Sequence, residues 1–171
     1  MKSRDLEKAV ALVSSKNKAK IAEGLEVAEK IEKDGIEFYS RQAEKAQSAE
    51  LRDFFNFLAG QEKEHLESIL SVNTSLLEKG KWPAKPLSKF TFRQFSKKDW
   101  DKGMDSAVNA MLFALWKEKE ASEFYSGAAE KISDKNGKKF FLALSEFEKG
   151  HADMLSEFVE DSFYSHELIM G

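Results

Sequence analysis

The feature that most constrains this chain is that its two halves repeat. At an offset of 86 residues, EKDGIEFYSRQAEK (32–45) aligns with EKEASEFYSGAAEK (118–131). The register continues through Phe54/Phe140, Phe55/Phe141, Leu58/Leu144, Glu62/Glu148, Lys63/Lys149 and His65/His151. A duplicated unit is the economical explanation. Both prolines, Pro83 and Pro86, fall between the copies in KWPAKPLSKFTFRQFSKKDWDKG, and proline is the strongest helix breaker.

On either side of that stretch, charged residues alternate with apolar ones at three- and four-residue spacing, in segments rich in Ala, Leu, Glu and Lys. This is a helical pattern, and strand signatures are missing. AQSAE (46–50) interrupts the first half and SDKNG (133–137) is a turn signal in the second. Each unit is therefore a helical hairpin. The pattern predicts helices near 19–46, 49–79, 104–133 and 137–161, a short additional helix near 4–15, and a looser tail after 161. The expected architecture is an all-α four-helix bundle forming a single domain over 1–171. Repeat 1 spans about 19–79, the crossover 80–103 and repeat 2 about 104–161. A crossover of some twenty extended residues reaches the ~40 Å that returning along the bundle requires.

The repeat carries chemistry as well as shape. Two of the three histidines follow a glutamate by three positions, in EKEH (62–65) and EKGH (148–151). In each copy a further glutamate, Glu32 or Glu118, precedes that Glu by 30 residues, and the midpoints, 47 and 133, fall inside the two turns. Antiparallel helices bring residues equidistant from their turn to the same height. Glu32 is thereby level with Glu62, and Glu118 with Glu148. In Glu-x-x-His both side chains lie on one helix face, about a turn apart, and can reach one metal centre.

Face-to-face packing of the hairpins places four carboxylates and two imidazoles, Glu32, Glu62, His65, Glu118, Glu148 and His151, at mid-height in the core. Four bare buried carboxylates would cost several kcal/mol each. Two divalent ions balance the four negative charges. An oxygen-rich site with one nitrogen per metal suits iron first, with manganese or zinc as substitutes.

In these residues the chain resembles the ferritin-like family and, within it, the rubrerythrins, whose pattern is one Glu on each of two helices and Glu-x-x-His on each of the other two. The resemblance covers roughly 19–161. It implies a ferritin-like diiron-carboxylate bundle acting as a non-haem oxidoreductase that reduces hydrogen peroxide or dioxygen. It further implies Glu62 and Glu148 as bridging ligands, the other four as terminal ligands, and Tyr39 and Tyr125 as catalytic residues that orient carboxylates. A ferritin-like ferroxidase or storage protein would use the same six ligands. Classical members add a four-cysteine rubredoxin domain, which a chain without cysteine cannot form, so electrons are expected from a separate donor. They also carry an extra ligand glutamate where this chain has Ala121. Glu120 points away from Glu118 and would turn inward only across a helical bulge.

Other residues have plainer readings. His166 has no glutamate three positions before it and is not expected in the site. Tyr39 and Tyr125 can equally be core aromatics. Phe38, Phe54, Phe55, Phe113, Phe124, Phe140 and Phe141 read as core rather than as a substrate pocket, and Gly35, Gly127 and Gly150 as points of close packing.

Composition limits the partners. A net charge of −3 and a pI near 5.8 give no basic field for nucleic acid or an anionic membrane. No apolar run approaches the ~20 residues that cross a bilayer, and AVALV (9–13) is too short for a secretory core. A cytoplasmic homodimer is the expectation. Against this acidic background the crossover is basic, with Lys81, Lys85, Lys89, Arg93, Lys97, Lys98 and Lys102 against Asp99 and Asp101. Together with Trp82 and Trp100 it is a candidate dock for a small acidic redox protein such as a rubredoxin, although a solvated connector would look the same.

Overall fold

The computed structural model describes the backbone over 3–83 and 104–170 and the side chains over 16–83 and 107–160. Four helices make up these segments: α1 (Ser3–Lys45), α2 (Ala49–Lys79), α3 (Met104–Lys131) and α4 (Lys135–Met170). The helices α1 and α2 form one antiparallel hairpin, α3 and α4 the other, and α1 faces α3 between hairpins. The chain is an all-α, ferritin-like four-helix bundle.

Local chemistry sets the boundaries. Ser48 caps α2 in an extended conformation, its hydroxyl accepting the Leu51 amide at 3.2 Å. At the other end Gly80 adopts φ 61°, and its amide reaches the Leu76 carbonyl at 3.1 Å. This left-handed C-cap suits a residue without Cβ. Asp134 accepts the Gly137 amide at 2.8 Å and starts α4 two residues earlier than the turn signal suggests. Two expectations are corrected. Residues 4–15 are not a separate helix but the first turns of α1, because no Gly or Pro occurs from 3 to 23. The tail after 161 is likewise helical, since neither Gly nor Pro occurs from 161 to 170. The crossover lies mostly outside the described residues, as do the side chains of Trp100 and His166.

Two apolar layers fill the bundle, each fed by all four helices. One contains Tyr39, Leu51, Phe54, Phe55, Met111 and Leu155, the other Leu25, Ile69, Tyr125, Phe140, Phe141 and Leu144. Between them lies a belt of buried polar residues: Glu32, Glu62, His65, Glu118, Glu148 and His151. Phe113 departs from its expected core role. It is 48% exposed on α3, packed against Phe38 at 5.3 Å and Trp116 at 5.8 Å.

Candidate metal centre

All six predicted ligands converge. They form two overlapping groups, Glu32, Glu62, His65 and Glu148, and Glu62, Glu118, Glu148 and His151, with one ligand atom from each member lying within 4.8 Å of the others. Glu62 and Glu148 belong to both. Their oxygens divide between the two groups. His65 Nδ1 lies 3.7 Å from Glu62 Oε2 and 3.3 Å from Glu148 Oε1. His151 Nδ1 lies 3.1 Å from Glu62 Oε1 and 3.3 Å from Glu148 Oε2. A carboxylate that offers one oxygen to each side has the disposition of a bridge. Each remaining glutamate serves one group: Glu32 Oε2 is 3.3 Å from His65 Nδ1, and Glu118 Oε2 is 3.7 Å from His151 Nδ1.

The tyrosines complete the pattern by crossing it. Tyr39 on α1 donates to Glu118 Oε1 on α3, and Tyr125 on α3 donates to Glu32 Oε1 on α1. Each hydroxyl holds the outer oxygen of the carboxylate from the other repeat, leaving the inner oxygen to face the imidazole. Seven residues after Glu32 or Glu118, a tyrosine stands two helical turns along the same face, the face that meets the other hairpin.

The donor atoms are suited to metal. Glu32 Oε2, Glu62 Oε1, His65 Nδ1 and both Glu148 oxygens are buried without a hydrogen-bond partner. Buried polar atoms are rarely left so, and a bound cation satisfies them. Without one, the site redistributes protons. Burial, then the charges of Glu148 and Glu62, raise the Glu32 carboxyl well above the ordinary range, and burial with Glu62 and Glu148 does the same to Glu118. For Glu62 burial pulls upward but is outweighed by the adjacent Glu32 carboxyl and by the His151 charge, so it is held low. Glu148 is also held low: burial and the Glu62 charge pull it upward, but the adjacent His151 and His65 imidazoles, each 3.3 Å away, outweigh them. Both imidazoles are raised: burial opposes their charge, but Glu148, Glu32 and Glu62 favour it at His65, and Glu62, Glu118 and Glu148 at His151. Burial and the neighbouring Glu118 and Glu32 keep the Tyr39 and Tyr125 hydroxyls protonated as donors.

Close packing is expected at Gly35, and the structure supplies its partner. A Cβ on Gly35 would lie 3.1 Å from Glu62 Cγ and 3.3 Å from Cδ, so this glycine makes room for a shared carboxylate. Gly127 has no such role, with nothing within 4 Å of its would-be Cβ. Phe147, with its ring 4.9 Å from that of His65, was unsuspected, although it directly precedes Glu148. Glu120 stays outside: α3 is regularly α-helical there, and Glu120 is exposed and belongs to neither ligand group.

Fold and site together define a ferritin-like bundle around a buried cluster of four carboxylates and two imidazoles that could hold metal. The Rubrerythrin family model matches residues 23–159, and the chain belongs to that family. Neither a curated protein nor a solved structure matches the chain significantly.

Proposed function

We infer that this chain is a non-haem diiron oxidoreductase that reduces peroxide with electrons from a separate donor protein. The observation that supports the reading is the division of the Glu62 and Glu148 oxygens between two histidines, which suits two metal ions held side by side. Glu32 and His65 would complete one ion's shell, and Glu118 and His151 the other's. Iron there would supply two electrons and Lewis acidity.

The chain's own contribution is positional. Tyr39 and Tyr125 fix the outer oxygens of Glu118 and Glu32. Phe147 keeps water from one face of His65, and the two apolar layers close the belt above and below. The donor is proposed to dock on the basic crossover at 81–102. Reversing Lys97 and Lys98 to Glu should then slow reduction by an acidic donor, and more so at low salt, while leaving reduction by dithionite unchanged.

The test is anaerobic iron loading, elemental analysis and a single-turnover reaction with hydrogen peroxide. Two irons per chain, oxidised in step with about one equivalent of peroxide, support the reading. One metal or none overturns it. Light scattering separates the storage alternative, which requires a closed multi-subunit shell rather than a small oligomer.

A further inference from the structure

A cleft of about 550 Å³ opens between α1 and α3 and ends on Glu62, Glu118 and Glu148. Its walls include Ile31, Phe38, Phe113, Ala114, Ala121 and Phe124. The repeat explains why it exists: Gly35 and Ala121 occupy equivalent positions 86 residues apart, and both line it. Two small residues, one on each facing helix, leave open the space beside the carboxylates that larger side chains would close.

Hydrogen peroxide does not need such a space. One water occupies ~30 Å³ of liquid, and a molecule with two oxygens about twice that. A volume of 550 Å³ with aromatic walls instead falls in the range of sites for organic ligands, ~300–1,000 Å³ and mostly apolar. Charge at the rim is balanced in sign, with Asp34, Glu37 and Glu120 beside Arg41, Lys45 and Lys117. Arg41 pairs with Glu37, and Lys117 lies 5.7 Å above the Trp116 ring. Nothing in this arrangement calls for an ionic substrate. The buried carboxylates Glu62, Glu118 and Glu148 lie at the closed end, where the two metal ions are proposed to sit.

We propose that the cleft binds the apolar body of an organic hydroperoxide, aryl or alkyl, and directs its O–O group to the carboxylate end. The inference rests on the peroxide-reducing reading and names its substrate class. The reaction balances: ROOH takes up two electrons and two protons, the O–O bond breaks, and ROH and water leave. The electrons come from the reduced metal pair, replenished by a reduced redox protein. Phe113 is the specificity-determining residue to alter, because it lines the cleft yet is 48% exposed, so a polar replacement is tolerated by the fold.

The experiment has two arms. In the first, zinc-loaded protein, which cannot turn over, is titrated with 2-phenyl-2-propanol, the alcohol product of cumene hydroperoxide, and binding is followed by ligand-observed NMR. Saturable binding that weakens about tenfold in Phe113→Glu supports the proposal; binding that is absent or indifferent to the substitution overturns it. In the second arm, iron-loaded protein is compared on cumene hydroperoxide and hydrogen peroxide. The ratio of their kcat/KM values should fall about tenfold in Phe113→Glu, chiefly through KM for the organic substrate. Turnover of hydrogen peroxide with an unchanged ratio overturns the substrate assignment alone. Turnover of neither peroxide, with two irons bound, overturns the peroxide-reducing reading and this inference with it.

Discussion

At the scale of single residues, the ligands were readable because their spacing is local and repeated. Glu-x-x-His is set by one helix, and the level of Glu32 with Glu62 by one turn. The tyrosine partners were not readable, since Tyr39 meets Glu118 only after the hairpins have packed. Nor was the use of Gly35, which depends on the path of Glu62 on another helix. Residues that belong to both groups and those that belong to one should behave differently on substitution. Glu62→Ala should reduce metal content at both sites, as Glu62 faces both histidines, whereas His65→Ala should weaken one site and leave about one ion per chain. Elemental analysis after dialysis against free metal separates the two patterns. Gly35→Ala tests the same carboxylate more gently. Alanine favours the helix by up to ~1 kcal/mol, but its Cβ must displace Glu62 by a few tenths of an ångström. The expected result is metal-free stability at or above wild type together with about tenfold weaker metal binding, read by calorimetric titration. Unchanged affinity would mean that Glu62 relaxes without consequence.

At the scale of elements, the sequence located four helices because each turn carries its own chemistry, and it misplaced ends where no such signal exists. The bounds of α2 agree with expectation since Ser48 and Gly80 mark them. Both α1 and α4 run further than expected because weak helix formers such as Ser14, Ser15 and Asn17 do not terminate a helix that nothing else interrupts. Phe113 was misassigned for a related reason: helical periodicity places it beside the apolar face, but the opening between α1 and α3 leaves it at a rim. The cap at Ser48 makes a quantitative test. Its hydroxyl is buried and bonded to the Leu51 amide, so Ser48→Ala should lower stability by about 1 kcal/mol. Metal stoichiometry should be unaffected, as Ser48 belongs to neither ligand group. Chemical denaturation of the metal-free protein reads the first quantity, and a loss under a few tenths of a kcal/mol would show that the turn is held by other contacts.

For the molecule as a whole, the buried belt couples metal, protons and stability. Without metal the six groups shift in opposite directions: Glu32, Glu118 and both imidazoles are raised, while Glu62 and Glu148 are held low. The signs then follow from linkage. The raised glutamates favour the folded state below the ordinary carboxylate value and lose that contribution as pH rises through their folded pKa. The raised histidines favour it below about 6.5 and lose it as pH rises through theirs. Glu62 and Glu148 act oppositely, losing their contribution as pH falls through their depressed values. Metal-free protein should therefore be most stable at mildly acidic pH and weaken towards alkaline pH. Metal requires the same ligands deprotonated, so two divalent ions must displace up to four protons, two from glutamates and two from histidines. The gain in melting temperature at fixed free Mn²⁺ should accordingly be larger at pH 8 than at pH 6. Metal binding should therefore release protons into a weakly buffered indicator solution at neutral pH, with four per chain as the ceiling. Release near zero, with two ions confirmed bound, would mean that the six groups are already deprotonated in the metal-free protein and that burial does not hold protons on them.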